Sequence, residues 1–102
     1  MPNYPLNIPV GAQLSPVITT DTTTLINSGK RAVLAGYVCT NAGSAWTVEF
    51  YNGNPSSGGV SLGPAISLAT GSFSVLQLAA PHGLYAVTAG TTAGSLQVAY
   101  FG

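Results

Sequence analysis

Trp46-Thr47-Val48-Glu49-Phe50-Tyr51 decides the fold class of this chain, because its side chains change character at every residue. Trp46, Val48 and Phe50 fall on one side of an extended backbone and Thr47, Glu49 and Tyr51 on the other, the period-two alternation of a strand with one buried face. A slip of one residue would bury Glu49, so the pattern fixes the face as well as the conformation. Leu96, Val98 and Tyr100 alternate in the same way with Gln97 and Ala99, and Leu76 and Leu78 flank Gln77. Apolar segments of this kind recur from residue 15 onward, separated by clusters of Gly, Asn, Pro and Ser. That spacing predicts an all-β domain, a single antiparallel β-sandwich of jelly-roll-like type. The expected strands are Pro16–Thr20, Thr23–Asn27, Ala32–Thr40, Trp46–Tyr51, Val60–Leu62 with Ala65–Leu68, Phe73–Leu78, Leu84–Thr88 and Leu96–Phe101. No segment carries a helical stripe.

One strand departs from the alternation. Ala32-Val33-Leu34-Ala35-Gly36-Tyr37-Val38-Cys39 is apolar on both faces, as expected of a central strand covered on both sides or of one at a subunit interface. Asn41-Ala42-Gly43-Ser44 then reads as a short hairpin loop leading into Trp46. Asn52 to Gly59 is a run of turn formers, read as an exposed and mobile loop.

The first fourteen residues have another character. Pro2, Pro5 and Pro9 are spaced among the single apolar residues Tyr4, Leu6, Ile8 and Val10, which favours an extended arm over residues 1–14 ahead of a sandwich domain over 15–102. Such an arm has the shape of a strap with alternate apolar anchors. The N-terminus Met1-Pro2-Asn3-Tyr4-Pro5 has neither the basic nor the apolar region of a secretory signal, and no apolar run approaches a membrane span, so synthesis in the cytoplasm is expected.

Charge is scarce: of 102 residues only Asp21, Lys30, Arg31 and Glu49 carry one, against about a quarter in ordinary soluble domains. A polar skin of Thr, Ser and Asn can keep part of such a surface in solution, and burial against other copies or a larger particle can deal with the rest. A single adjacent basic pair, Lys30 and Arg31, gives too few phosphate contacts for nucleic-acid binding. Cys39, the single cysteine, excludes an internal disulfide and reads as a small buried hydrophobe.

Catalytic chemistry has little to work with. One His, one Cys, one Asp and one Glu are dispersed along the chain, and no nucleophile-elbow motif accompanies a triad of His82, Asp21 and a serine. His82 lies in the turn Ala80-Pro81-His82-Gly83, and His82 with Asp21 or Glu49 is short of metal ligands unless copies of His82 gather round an axis. Neither an enzyme nor a cofactor is expected. Tyr51, beside the glycine-rich loop, is the better candidate for an aromatic sugar platform, with Trp46 in the core.

The order of these pieces resembles a known family. A Thr-rich strand pair, Ile18 to Ile26, precedes Ser28-Gly29-Lys30-Arg31 and the apolar strand. Thr40-Asn41-Ala42-Gly43 follows, then Trp46 to Gly53, and Val87-Thr88-Ala89-Gly90-Thr91 stands near the end. Over residues 17 to 101 this looks like the small head-decoration, or cementing, proteins of tailed bacteriophages; many of those have an aspartate where this chain has Asn52. The resemblance implies a jelly-roll-like subunit on the outer surface of a phage head, commonly trimeric, with the major capsid protein as partner. It then implies Tyr4, Leu6, Ile8 and Val10 as anchors to shell or neighbour, with Lys30 and Arg31 as rim charges. A tail, fibre or carbohydrate-binding sandwich is the other class the pattern allows.

Overall fold

The computed structural model describes residues 11–71 and 73–102, the side chains of 73–77 excepted. Nine strands are present: β1 Gln13–Leu14, β2 Thr23–Asn27, β3 Val33–Asn41, β4 Thr47–Asn52, β5 Val60–Ser61, β6 Ile66–Ser67, β7 Phe73–Ala79, β8 Leu84–Ala89 and β9 Ser95–Phe101. The one helical element among the described residues is a 3₁₀ turn, Pro55–Ser57, capped by Asn54, whose side chain accepts from the Ser56 N–H. Strong alternation thus became strand, within a residue or two of the expected bounds.

Pro16–Thr20 is a correction. The strand there is β1, two residues earlier, and only Ile18 goes on to pair with β9, through a bridge to Leu96. Pro16 has no N–H to give a ladder, and the chain resumes pairing beyond it.

The strands make two antiparallel sheets, ordered β1-β9-β3-β7 and β2-β8-β4-β5, with β6 also on β4. Pairing is nested: β1 with β9, β2 with β8, β3 with β7, and β4 with β5 and β6. Every link between consecutive strands therefore crosses from one sheet to the other, except those among β4, β5 and β6. This corrects the hairpin expected at Asn41–Ser44. Its turn chemistry is as read, with Gly43 at φ 59° and its N–H donating 2.9 Å to the Asn41 side chain, but the turn carries the chain between sheets.

Backbone packs directly on backbone where that corner meets the β8–β9 link. A Cβ on Gly43 would strike the Thr92 carbonyl, one on Gly90 the Ala45 carbonyl, and one on Gly94 the Asn41 carbonyl. Glycine is required at this crossing because the strands could not otherwise change sheets at so close a distance.

The facing sides of the two sheets share one apolar cluster, giving a β-sandwich-like arrangement. Trp46, Val48 and Phe50 of the β4 segment meet Leu34, Tyr37 and Cys39 of β3, Leu84 and Ala86 of β8, and Leu96 and Val98 of β9. Tyr37 and Phe50 stack across it with ring centroids 6.3 Å apart. Burying side chains of this size contributes about 1.5–3 kcal/mol each.

In β3 the doubly apolar run has a specific cause. Leu34 and Tyr37 both face the core although they are three positions apart, because the register against β9 shifts between Leu34 and Gly36. The bulge changes the phase of the strand, with Gly36 at φ 153° taking a conformation that favours glycine. Val33 and Val38 are left half-buried on the other side.

Candidate interaction surfaces

The four charges are placed apart. Lys30 and Arg31 stand side by side and exposed on the β2–β3 link, in a turn closed by the Ala32 N–H donating to the Gly29 carbonyl at 3.2 Å. Asp21 accepts the indole N–H of Trp46 at 2.8 Å. A fully buried tryptophan thereby has its one polar atom satisfied from the surface, and the loop before β2 is tied to the core. Glu49 projects from β4 and accepts the Ser61 hydroxyl at 2.6 Å. Tyr51, two residues on, hydrogen-bonds the same carboxylate, which raises the phenol above its ordinary value; burial and the Glu49 charge add to the shift.

The groups weighed for catalysis do not converge into a metal site: among the described residues no set of three His, Cys, Asp and Glu side chains is placed to hold an ion. His82 is exposed in its turn, its backbone N–H donating 2.8 Å to the Asn52 side chain. Cys39 is free and fully buried, and burial raises its thiol above the ordinary range. Among the described residues no helix is long and apolar enough to cross a membrane.

The loop expected to be mobile and exposed is bonded at its base. The Gly53 N–H donates 2.7 Å to the Gly83 carbonyl, the Gly59 N–H donates 2.8 Å to the Asn54 carbonyl, and Gly53 is buried. Asn52 holds the neighbouring β7–β8 turn through its side chain.

Two surfaces gather apolar or aromatic side chains. On the outer face of the β2-β8-β4-β5 sheet, Leu25, Tyr85, Tyr51 and Ser61 form one row across four strands, each opposite the next. Tyr85 was not singled out from sequence; the buried positions Leu84, Ala86 and Thr88 leave it on the outer side of β8. Scattered over the surface are Val17 and Val60, 54% and 64% exposed.

The second surface is a groove of about 180 Å³ lined by Phe50, Leu62, Gly63, Pro64, Ile66 and Leu78. It opens where β7, the last strand of its sheet among the described residues, passes the short strands β5 and β6 of the other. Period-two reasoning gives Phe50 and Leu78, but the groove is formed by the turn at Gly63-Pro64, which displaces Leu62 and Ile66 from a continuous strand. Tyr4, Leu6, Ile8 and Val10, the expected anchors, lie outside the described residues.

Comparison of the chain with family models, with curated proteins and with solved structures finds no match.

Proposed function

We propose that this protein is a structural subunit of a virus particle: a decoration or cement protein that sits on the outer surface of a phage head and stabilises the shell. The observation that carries the reading is the surface, which holds four charged side chains while Val17, Leu25, Val60, Leu14 and Leu78 are exposed. A surface of Thr, Ser, Gly and small apolar groups loses little hydration on contact, which suits repeated close packing better than free solution. The resemblance in residues 17 to 101 supplies the particle, and the nested pairing with sheet orders β1-β9-β3-β7 and β2-β8-β4-β5 supports a jelly roll, one long hairpin wound into two sheets.

In this reading the major capsid protein is the partner, the subunits assemble as homotrimers, and neither nucleic acid, membrane, metal nor catalysis is part of the work. The N-terminal arm, with Tyr4, Leu6, Ile8 and Val10, anchors each copy to the shell or to a neighbouring copy, and Lys30 and Arg31 meet acidic positions at the rim. Several weak contacts per trimer give steep overall attachment. The test is the number of copies per purified particle, counted by quantitative mass spectrometry. Hundreds are expected; a handful would make this a tail or vertex component instead.

A second reading, a carbohydrate-binding module of a tail or fibre, is favoured by the Tyr85–Tyr51 row beside the Glu49 carboxylate. It requires tyrosine or tryptophan fluorescence to respond to members of a glycan panel.

A further inference from the structure

Among the described residues β7 is the longest strand edge, and an apolar groove lies beside it. It runs for seven residues, Phe73–Ala79, contains no charged residue and no proline, and closes one side of its sheet among the described residues. Natural edges are usually short, charged or broken by proline, since a bare edge recruits another strand. The other edges are shorter: β1 has two residues and is followed within two by Pro16, β5 and β6 have two each, and β2 has five; β7 and β2 each carry one register shift, opposite Leu34–Gly36 and between Leu25 and Asn27. Leu78 carries the groove from β7 towards Phe50, Leu62 and Ile66.

The sequence ahead of Gly11 has the parity that such an edge needs. In a strand, alternate residues turn both N–H and C=O to the same neighbour, and alternate side chains share a face. Over residues 3–10, Tyr4, Leu6, Ile8 and Val10 occupy the even positions, all apolar and all with an N–H; Pro5 and Pro9, which lack one, and Asn3 and Asn7 occupy the odd positions, while Pro2 breaks the pattern ahead of them. A strand of residues 4–10 added with its even residues towards β7 loses no donor to proline and turns its apolar side chains to one face. Its outer edge then has proline where a further strand would need a donor. The groove, about 180 Å³, is on the scale of cavities of about 150 Å³ that hold a benzene-sized group, so it accepts one such side chain.

We infer that the N-terminal segment of one copy adds as a strand to the β7 edge of a second copy and seats an even-numbered apolar side chain in this groove. The reach of the chain from Gly11 sets which even residues one chain can place on its own edge. Gly11 lies against the opposite part of the sheet, where a Cβ on it would be 3.8 Å from the Phe101 ring on β9. From β9 to a strand outside β7 is three strand spacings, about 14 Å, whereas one peptide spans about 3.8 Å. A chain docking on itself would use about four residues on the way, leaving Ile8 and Val10 off the edge and only Tyr4 and Leu6 to reach it, whereas a second chain can place all four. Donor and acceptor surfaces therefore lie on different sides of the subunit, a head-to-tail contact that closes into a ring or continues as a filament. This goes beyond the particle assignment, and it is tested on the free protein.

Ile8→Cys and Leu78→Cys are introduced into separate full-length chains, co-expressed, and treated with a short bismaleimide; native Cys39 is fully buried. The expected product is a cross-linked pair containing one chain of each kind, absent when either variant is treated alone. Two results would overturn the inference: no mixed pair in the co-expressed sample, or, when both cysteines are placed in one chain, linkage only within that chain.

Discussion

The two margins of the β1-β9-β3-β7 sheet are built to opposite ends. At β1 the strand is short, and side chains finish what the backbone leaves undone. The Val98 N–H donates 2.9 Å to the Ser15 hydroxyl, the Ser15 N–H donates 2.8 Å to the Val98 carbonyl, and the Gln97 amide donates 2.9 Å to the Ser15 carbonyl. Ser15 is itself buried, and Pro16 ends the ladder. At β7 the edge is long, has no further strand paired to it among the described residues, and has an apolar groove beside it. A domain that seals one margin so fully, and leaves the other bare, has its unsatisfied side where a partner strand can complete it.

Ser15→Ala should have the largest effect on stability. It removes the acceptor of a buried N–H, which costs about 1–3 kcal/mol, so the melting temperature should fall by on the order of 10 °C for a domain of this size. Thermal unfolding of the variant checks this, and an unchanged midpoint would show that the β1 margin is held by something other than Ser15.

The strand between the margins gives an intermediate effect. Tyr37 and Cys39 sit on β3, and burial raises both the phenol and the thiol; the neighbouring Cys39 adds to the shift at Tyr37. For both groups the proton is held more tightly in the folded chain than in the unfolded one. Stability is therefore full below the unfolded values, about 8.5 for Cys and 10 for Tyr, and is lost as pH rises through the folded ones. Denaturant midpoints should decline from about pH 8.5 upward, and Tyr37→Phe should remove the later part of the decline. A midpoint constant to pH 11 would contradict the sealed core. Thiol labelling of Cys39 separates the margins, since Ser15→Ala should speed it and a substitution on the β7 side should not.

Leu78→Lys is expected to have the smallest effect on the subunit itself. Leu78 is 37% exposed at the mouth of the groove, so the change should alter monomer stability by no more than about 0.5 kcal/mol. A loss of several kcal/mol would place Leu78 in the core and remove the contrast between the margins.

What could be read from the sequence follows the same division between local and long-range information. Trp46, Val48 and Phe50 announced their face because alternation is a property of neighbours in sequence. The doubly apolar β3 segment announced a central strand, and it is one, between β9 and β7. The bulge at Leu34–Gly36 gave no signal beyond one glycine, and without it Tyr37 and Cys39 would fall on the wrong face. Asn41–Ser44 spelled a turn correctly but not its destination, since turn residues specify φ and ψ and say nothing of which sheet receives the next strand. The bond from Trp46 to Asp21 joins residues 25 apart in sequence, and the groove needs β4, β6 and β7 in place together. Neither has a local signature. Of the candidate contact residues, Lys30 and Arg31 were legible as an exposed pair in a turn, while the acceptor edge became visible only with the strand order.

The most direct test of an assembled subunit with one sealed and one receptive margin is its mass in solution, by sedimentation equilibrium of the intact chain and of Leu78→Lys. The account predicts a small integer multiple of 10.2 kDa, three being expected, for the intact chain, and 10.2 kDa for the variant. An intact chain that remains at 10.2 kDa across the accessible concentration range, or a variant that keeps the mass of the intact assembly, would contradict it.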